Sequence, residues 1–415
     1  MRALPTKSLW RHQDFLKLWS AQATSSFGSQ IASLAYPLTA ILVLQATTFQ
    51  VGLLQATGMA SAALLGLFAG VIVDRARRKP ILFAADLGRA LLALSIPLAA
   101  AFGVLRIEQL YVVAFLSGAL AILADVAGMA FLPSLLEKEQ LVEGNSKLGT
   151  TESVALIAGP GLSGLLIQIL TAPFAILIDA ASFLVSAVFV RQIRAAEIPI
   201  EREKRRSIWT EIGEGLRFVY GDRVLRPLAE SIALYFLFRQ IVLTLFTLFA
   251  VRELNLEPLL LGVIFSALGF GFLLGALTVK FITARFGVGQ TMIGANLINI
   301  LAMALVPAAG GSIIFVTALL ALSHFLHAFA IQVNGINLMS LRQAITPDYL
   351  QGRMNASFRF VNVGMMMLGA LIAGSLGELI GLRATLVIGA IGMLLPFLRL
   401  LFSPVRRVET LNPNQ

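Results

Sequence analysis

The sequence predicts an all-α membrane protein: twelve transmembrane helices in two pseudo-symmetric six-helix bundles. Three observations lead there. Twelve apolar stretches of about 20 residues or more fill the 415-residue chain almost end to end, and a hydrocarbon core of about 30 Å needs roughly 20 apolar residues per helix. The composition is 58% hydrophobic and only 13% charged, with a mean hydropathy of +0.85. One charge-rich interruption divides the stretches six and six. Backbone amides in lipid must be paired within the span. Barrel strands are about 10 residues long and alternate strictly; these runs are longer and do not alternate, so they read as helices.

The chain opens with SLWRHQDFLKLW, which reads as an interfacial helix with Trp10, Phe15 and Trp19 toward lipid and Arg11 and Lys17 toward water. No small-residue cleavage site follows, so no cleavable signal is expected. The first bundle, 1–190, takes spans 15–44, 51–73, 81–102, 109–132, 148–170 and 172–190. Residues 191–224 form a cytoplasmic connector, in which SIWTEIGEGLRFVY has helical spacing and is expected to lie near the membrane surface. The second bundle, 225–415, takes spans 225–250, 256–283, 290–309, 312–338, 357–380 and 383–402. The halves repeat weakly at an offset of about 205: Gly66 and Gly70 align with Gly271 and Gly275, and Gly159 and Gly164 with Gly364 and Gly369. Two repeated six-helix units suit alternating access around a central site.

The net charge is +10, from 32 Lys and Arg against 22 Asp and Glu. With the N-terminus inside, only Arg106, Arg252 and Arg383 fall in outer loops, while Arg89 and Arg239 fall within spans. This asymmetry orients both termini to the cytoplasm of a cell (inner) membrane. The basic charge is therefore a topology signal with an affinity for anionic lipid, and no nucleic-acid partner is expected. Cysteine is absent and histidine numbers three, which excludes disulfides, thiolate catalysis and Fe–S sites and leaves no zinc set. Neither a metal nor a cofactor is expected. No phosphate loop GxxxxGK[ST] suggests ATP drive, and no nucleophile–base arrangement suggests an enzyme.

Between spans 2 and 3 stands GVIVDRARRK. Its cations suit the carbonyl end of a helix, but Asp74 opposes that dipole and calls for a partner. In span 5, AGPGLSG gives a bend and a close helix approach at Gly159, Pro160 and Gly164. Both motifs resemble the major facilitator superfamily. Gly70, Asp74, Arg75, Arg78 and Lys79 match its loop signature, with Arg77 at a position where that family usually has glycine. Gly159, Pro160 and Gly164 match its antiporter motif, with Ser163 in place of the first paired glycine. LWRHQDFLKLW, DLGRALLAL, DAASFLVSA and RQAITPDYLQGRMNAS resemble the branch of macrolide-efflux and enterobactin-exporter proteins. The resemblance implies the major facilitator fold, export, and a loop acid that locks the outward-facing form. In the second half Val279 replaces that acid while Lys280 keeps the base. The span-4 arginine of many drug/proton antiporters is missing, and Asp125 stands in that span.

Ionisable residues inside a membrane are costly and mark functional candidates. Asp125, Arg239, His324 and His327 lie deep, on spans 4, 7 and 10, which the resemblance implies line a central cavity with span 1. Asp125 is the first candidate for proton coupling, or else an ion-pair partner of Arg89; Glu152 and Glu230, near cytosolic helix starts, follow it. Asp86 and Arg89 at i, i+3 suit a structural ion pair. The substrate-cavity candidates are Gln22, Ser26, Ser29 and Ser33 in span 1, Arg239 and Gln240 in span 7, and His324, His327 and Asn334 in span 10. Asp179, in the outer half of span 6, is expected to be structural. The expected function is secondary-active export of amphipathic small molecules of drug, macrolide or siderophore type by proton antiport, from a monomer in the bilayer. The alternatives are a lysophospholipid flippase of the same fold and a transport-inactive membrane scaffold or sensor.

Overall fold

A computed structural model of the chain describes residues 9–194 and 208–408. Among these, twelve helical stretches are long and apolar enough to cross a membrane. The helices are α1 (Gln13–Leu38, extended by a wider turn over Thr39–Val43), α2 (Thr48–Arg75), α3 (Arg78–Ala101), α4 (Ile107–Leu135), α5 (Leu141–Leu170) and α6 (Ala172–Gln192). The connector helix α7 (Ile208–Gly221) follows, then α8 (Leu225–Arg252), α9 (Pro258–Phe286), α10 (Val288–Ala308), α11 (Ile313–Ile345) and α12 (Asp348–Ile380). The last span is broken at Met393 into α13 (Leu382–Gly392) and α14 (Leu394–Leu401). Two compact units result: Met1–Gln45 with Ala60–Lys204, and Ala46–Met59 with Arg205–Gln415.

Several helices change direction at single residues in the left-handed region. Gly287 and Gly381 have φ of 78° and 88°, while Gln45, Thr171 and Asn255 adopt φ of 51°, 70° and 52° without glycine's freedom. Gln45 and Asn255 are separated by the same interval as Thr171 and Gly381. That interval also separates the first residues of α2 and α9, of α3 and α10, and of α6 and α13. It is a few residues longer than the glycine alignment suggests, and it pairs Gly159 with Gly369 in place of Gly364.

This corrected register is visible in the packing. In the first unit a Cβ on Gly159 of α5 would stand 2.5 Å from Gln30 Cβ of α1, and Ser163 donates to the Ile31 carbonyl at 2.9 Å. In the second unit a Cβ on Gly369 of α12 would stand 2.9 Å from Gln240 Cβ of α8 and 2.4 Å from the Leu237 carbonyl oxygen. Gly159–Gln30 and Gly369–Gln240 are therefore the same seam built twice. Overpacking a close contact costs about 1–3 kcal/mol. Gly369→Val should lower the melting temperature of the purified protein more than Gly159→Val, because it meets an immovable backbone atom; the reverse order in thermal unfolding would refute this account of the seams.

Two expectations change. Phe15 is fully buried in the first unit's core, and Trp19 donates its indole N–H to Thr151 at 2.9 Å, so only Trp10, 53% exposed, keeps an outward place. The connector helix α7 docks on α12: Arg353 pairs with Glu214 at 2.6 Å, and a Cβ on Gly215 would lie 2.4 Å from the Arg353 carbonyl oxygen. Within the second unit, the Ala46–Met59 segment is held at its start. The Phe49 N–H, one of the orphan donors of a helix N-terminus, reaches Glu378 at 3.1 Å, and Arg252 donates to the Ala46 carbonyl at 2.7 Å.

Candidate functional site

In the first unit, α3 lies against α6 and α4, while α1 lies against α6 and α5. This brings the charges of α3 onto partners from other helices. Asp86, 6% exposed, accepts from Ser186 of α6 at 2.6 Å. Arg89 lies with its guanidinium carbon 3.9 Å from the Phe183 ring centre and donates to Ser29 of α1 at 3.3 Å. The expected i, i+3 ion pair between Asp86 and Arg89 therefore does not form; α6 covers that face of α3 and gives each residue its own partner.

Asp179, Asp86 and Asp125 act on Arg89 through space, while Arg89 Nε and Asp179 Oδ1 are buried without a hydrogen-bond partner among the described residues. Asp179 is 3% exposed and lies one turn before Phe183, so it belongs to this cluster. Asp125 is exposed on α4, and Glu152 is exposed on α5. Two buried carboxylates, Asp86 and Asp179, thus lie on the helices packed around Arg89. The span-1 polar stripe divides: Gln22 extends its amide toward Gly128 of α4, Ser29 faces Arg89, Ser26 is half-buried, and Ser33 is exposed with its hydroxyl on the Gln30 carbonyl at 2.7 Å.

In the loop motif, Gly70 has open space beside it and Arg75 is exposed, while Arg78 and Lys79 are half-buried. Lys79 donates to the Ile193 carbonyl. The side chain of Asp74 lies outside the described residues. In the antiporter motif, Gly159, Pro160 and Gly164 are all buried, at the α1–α5 seam described above.

In the second unit the deep residues separate into three environments. Arg239 donates its Nε–H to His327 Nε2 at 3.2 Å, and His327 Nδ1 stands 2.6 Å from Asn299 Oδ1. A guanidinium N–H can only donate, so Nε2 accepts and the ring proton sits on Nδ1, donated to Asn299. His324 instead is buried against Phe246 and Phe265, with ring centres 4.3 and 5.3 Å away, and its Nδ1 reaches the Leu320 carbonyl of its own helix at 3.0 Å. Gln240 is 3% exposed and donates to Thr244 at 3.1 Å. Neither His324 nor Gln240 lines an opening, because each is enclosed by helix packing. Asn334, with Tyr235, Asn296 and Asn299, lines a cavity of about 100 Å³. Glu230 is gripped by Arg226 at 2.9 Å and Arg399 at 2.5 Å, which makes it an ion-pair clamp in place of a proton carrier.

Asp179, Phe183, Ser186 and Asn299 escaped the reading of the sequence as site residues. One signal was present: by the helix interval, NLIN at 296–299 stands where DLGR stands at 86–89, and Arg239 stands where Ser29 does. The described residues hold no group of three or more His, Asp or Glu placed to bind a metal.

Comparison with known proteins follows the geometry. A family profile described as transmembrane secretion effector matches residues 6–415. The multidrug efflux pump Tap of Mycolicibacterium fortuitum is 28% identical over 402 residues, covering 91% of this chain and 95% of that protein. The enterobactin exporter EntS of Salmonella typhi is 22% identical over 396 residues, covering 94% and 92%. The crystal structure of the nucleoside transporter NupG superimposes with a TM-score of 0.74 at 15% identity, over 94% of this chain and 98% of that one; a likeness at that identity speaks for the fold alone.

Proposed function

Because this chain belongs to the transmembrane secretion effector family of major facilitators, we propose that it expels amphipathic small molecules of drug, macrolide or siderophore type in exchange for protons. It is a multi-pass membrane transporter of small molecules, and its family and relatives are transporters, not enzymes. We assign both termini to the cytoplasmic side on the distribution of Lys and Arg, and we take the protein to be a monomer in the inner membrane.

The observation that supports proton exchange is the charge balance around Arg89. Asp86 and Asp179 are buried on α3 and α6 beside the cation Arg89, and a surplus of carboxylate away from water is costly. Protons complete that balance, and a cluster that takes and releases them is what an antiporter requires. Asp125 is the member open to its surroundings, so it is the one we assign to exchange with water. The loop motif from Gly70 to Lys79 is assigned to gating.

The test is uphill export. Cells expressing the chain should accumulate less of a macrolide or a fluorescent drug than an empty host, and a protonophore should abolish the difference. Lower accumulation that survives the protonophore would remove proton exchange from the reading. No difference across a broad compound panel, together with thermal stabilisation of the purified protein by lysophospholipid, would replace export with lipid flipping.

A further inference from the structure

Among the described residues of the second unit, no carboxylate forms an ion pair with Arg239. Arg239 stands at the middle of α8, where a bare charge is expensive, and a guanidinium does not shed its proton. Helices α9, α10, α11, α13 and α14 carry no Asp or Glu, and α8 carries only Glu230. Glu230 is engaged by Arg226 and Arg399. On α12, Glu378 lies near the far end and receives the Phe49 N–H, while Asp348 opens the helix with its side chain outside the described residues.

The first unit shows the contrast. At the positions equivalent to Asn296 and Asn299 it carries Asp86 and Arg89, with the buried acid Asp179 one turn from the Phe183 ring on which Arg89 lies. In the second unit the arginine has moved to α8, and asparagines stand in the place of the charged pair.

The neutral partners that remain do not balance Arg239; they aim it. His327 accepts from its Nε, and Asn299 fixes the His327 tautomer. The two terminal nitrogens make no hydrogen bond with the described residues, and they are not sealed from the surroundings. A guanidinium so held presents the edge that binds carboxylate or phosphate through paired hydrogen bonds.

We propose that Arg239, aimed by His327 and Asn299, receives an anionic group of the transported molecule, so that the substrates are amphipathic anions bearing a carboxylate or phosphate. The counter-charge that Arg239 does not find among the described residues arrives with the cargo. This proposal rests on the exporter reading, and the test keeps the two apart.

The full-length chain in nanodiscs is titrated with two xanthene dyes of related ring system, anionic carboxyfluorescein and cationic rhodamine 6G, read by fluorescence anisotropy. The wild type should bind carboxyfluorescein at least about tenfold more tightly, as expected for a desolvated charge-assisted contact. Arg239→Gln should lose that preference. Arg239→Lys should keep part of it, since it retains the charge without the fork, and His327→Gln should weaken it through misorientation. Equal binding of the two dyes by the wild type, a measurement that depends on no variant folding, overturns the proposal, and so does an Arg239→Gln protein that keeps the preference. It is overturned as well if Arg239→Gln folds only when Asp125→Asn is also present, because Asp125 would then be the counter-ion. Transport is read separately in proteoliposomes. Charge-selective binding without transport leaves the anion site standing and removes the exporter reading; transport without charge selectivity does the reverse.

Discussion

Arg89→Gln is expected to remove most of the folded protein from membranes, and Asp179→Asn in the same chain to restore it. The guanidinium stacks on Phe183 and donates to Ser29, and it is the shared cation for Asp179, Asp86 and Asp125. Removing it leaves buried carboxylates with no opposite charge. Breaking a buried pair from one side costs about 3–5 kcal/mol, whereas removing both partners is often close to neutral. Against a total stability of about 5–15 kcal/mol, the single change is large. The readout is the height of the monodisperse peak in size-exclusion chromatography of a fluorescently tagged chain. Wild-type yield for Arg89→Gln would refute the cluster. Rescue by Asp125→Asn in place of Asp179→Asn would move the principal counter-ion from α6 to α4.

Asp125→Asn is expected to abolish uphill export, bringing the ratio of outside to inside substrate to about one, while leaving folding, binding and downhill exchange intact. Asp125 is exposed on α4, whereas Asp86 and Asp179 are buried, so its replacement opens no cavity. Surface substitutions of that kind change stability by about 0.5 kcal/mol or less. Proteoliposomes with an imposed proton gradient separate the two activities: loss of concentrative transport with retained counterflow is the expected pair of results. A mutant that still concentrates substrate would shift coupling to Asp86 and Asp179.

The twelve spans were legible because length and hydrophobicity alone define a membrane helix; the placing of Ala46–Met59 with the second unit was not. What each helix turns inward was not legible. In lipid, the face toward neighbouring helices and the face toward acyl chains are both apolar, and small residues with hydrogen bonds decide the interface. His324, Gln240 and Asp179 show the consequence. His324 and Gln240 lie on helices expected to line a cavity, yet each is enclosed by Phe246 and Phe265 or by the seam at Gly369. Asp179 lies on a helix expected to be peripheral, yet it is 3% exposed and one turn from the Phe183 ring on which Arg89 lies. The ion pair predicted within α3 failed for the same reason: spacing along one helix does not reveal which neighbour covers it. The repeat was visible, but glycine matches alone set its register a few residues short, because several glycines face open space and carry no packing constraint.

The duplicated seam separates two properties that are usually entangled. Glutamine against glycine, Gln30 with Gly159 and Gln240 with Gly369, joins the first and fifth helices of each half in the same way. A few residues from each joint the polar inventories diverge, with acids around an arginine in one half and asparagines behind an arginine in the other. The mechanics are thus written in small residues and the chemistry in a handful of charged ones. A chain laid out this way is in part a chassis: the residues at 239, 296 and 299 can be exchanged to re-specify the cargo without touching the glycine seams, whereas those at 86 and 89 also tie α3 to its neighbours and change only in compensating sets.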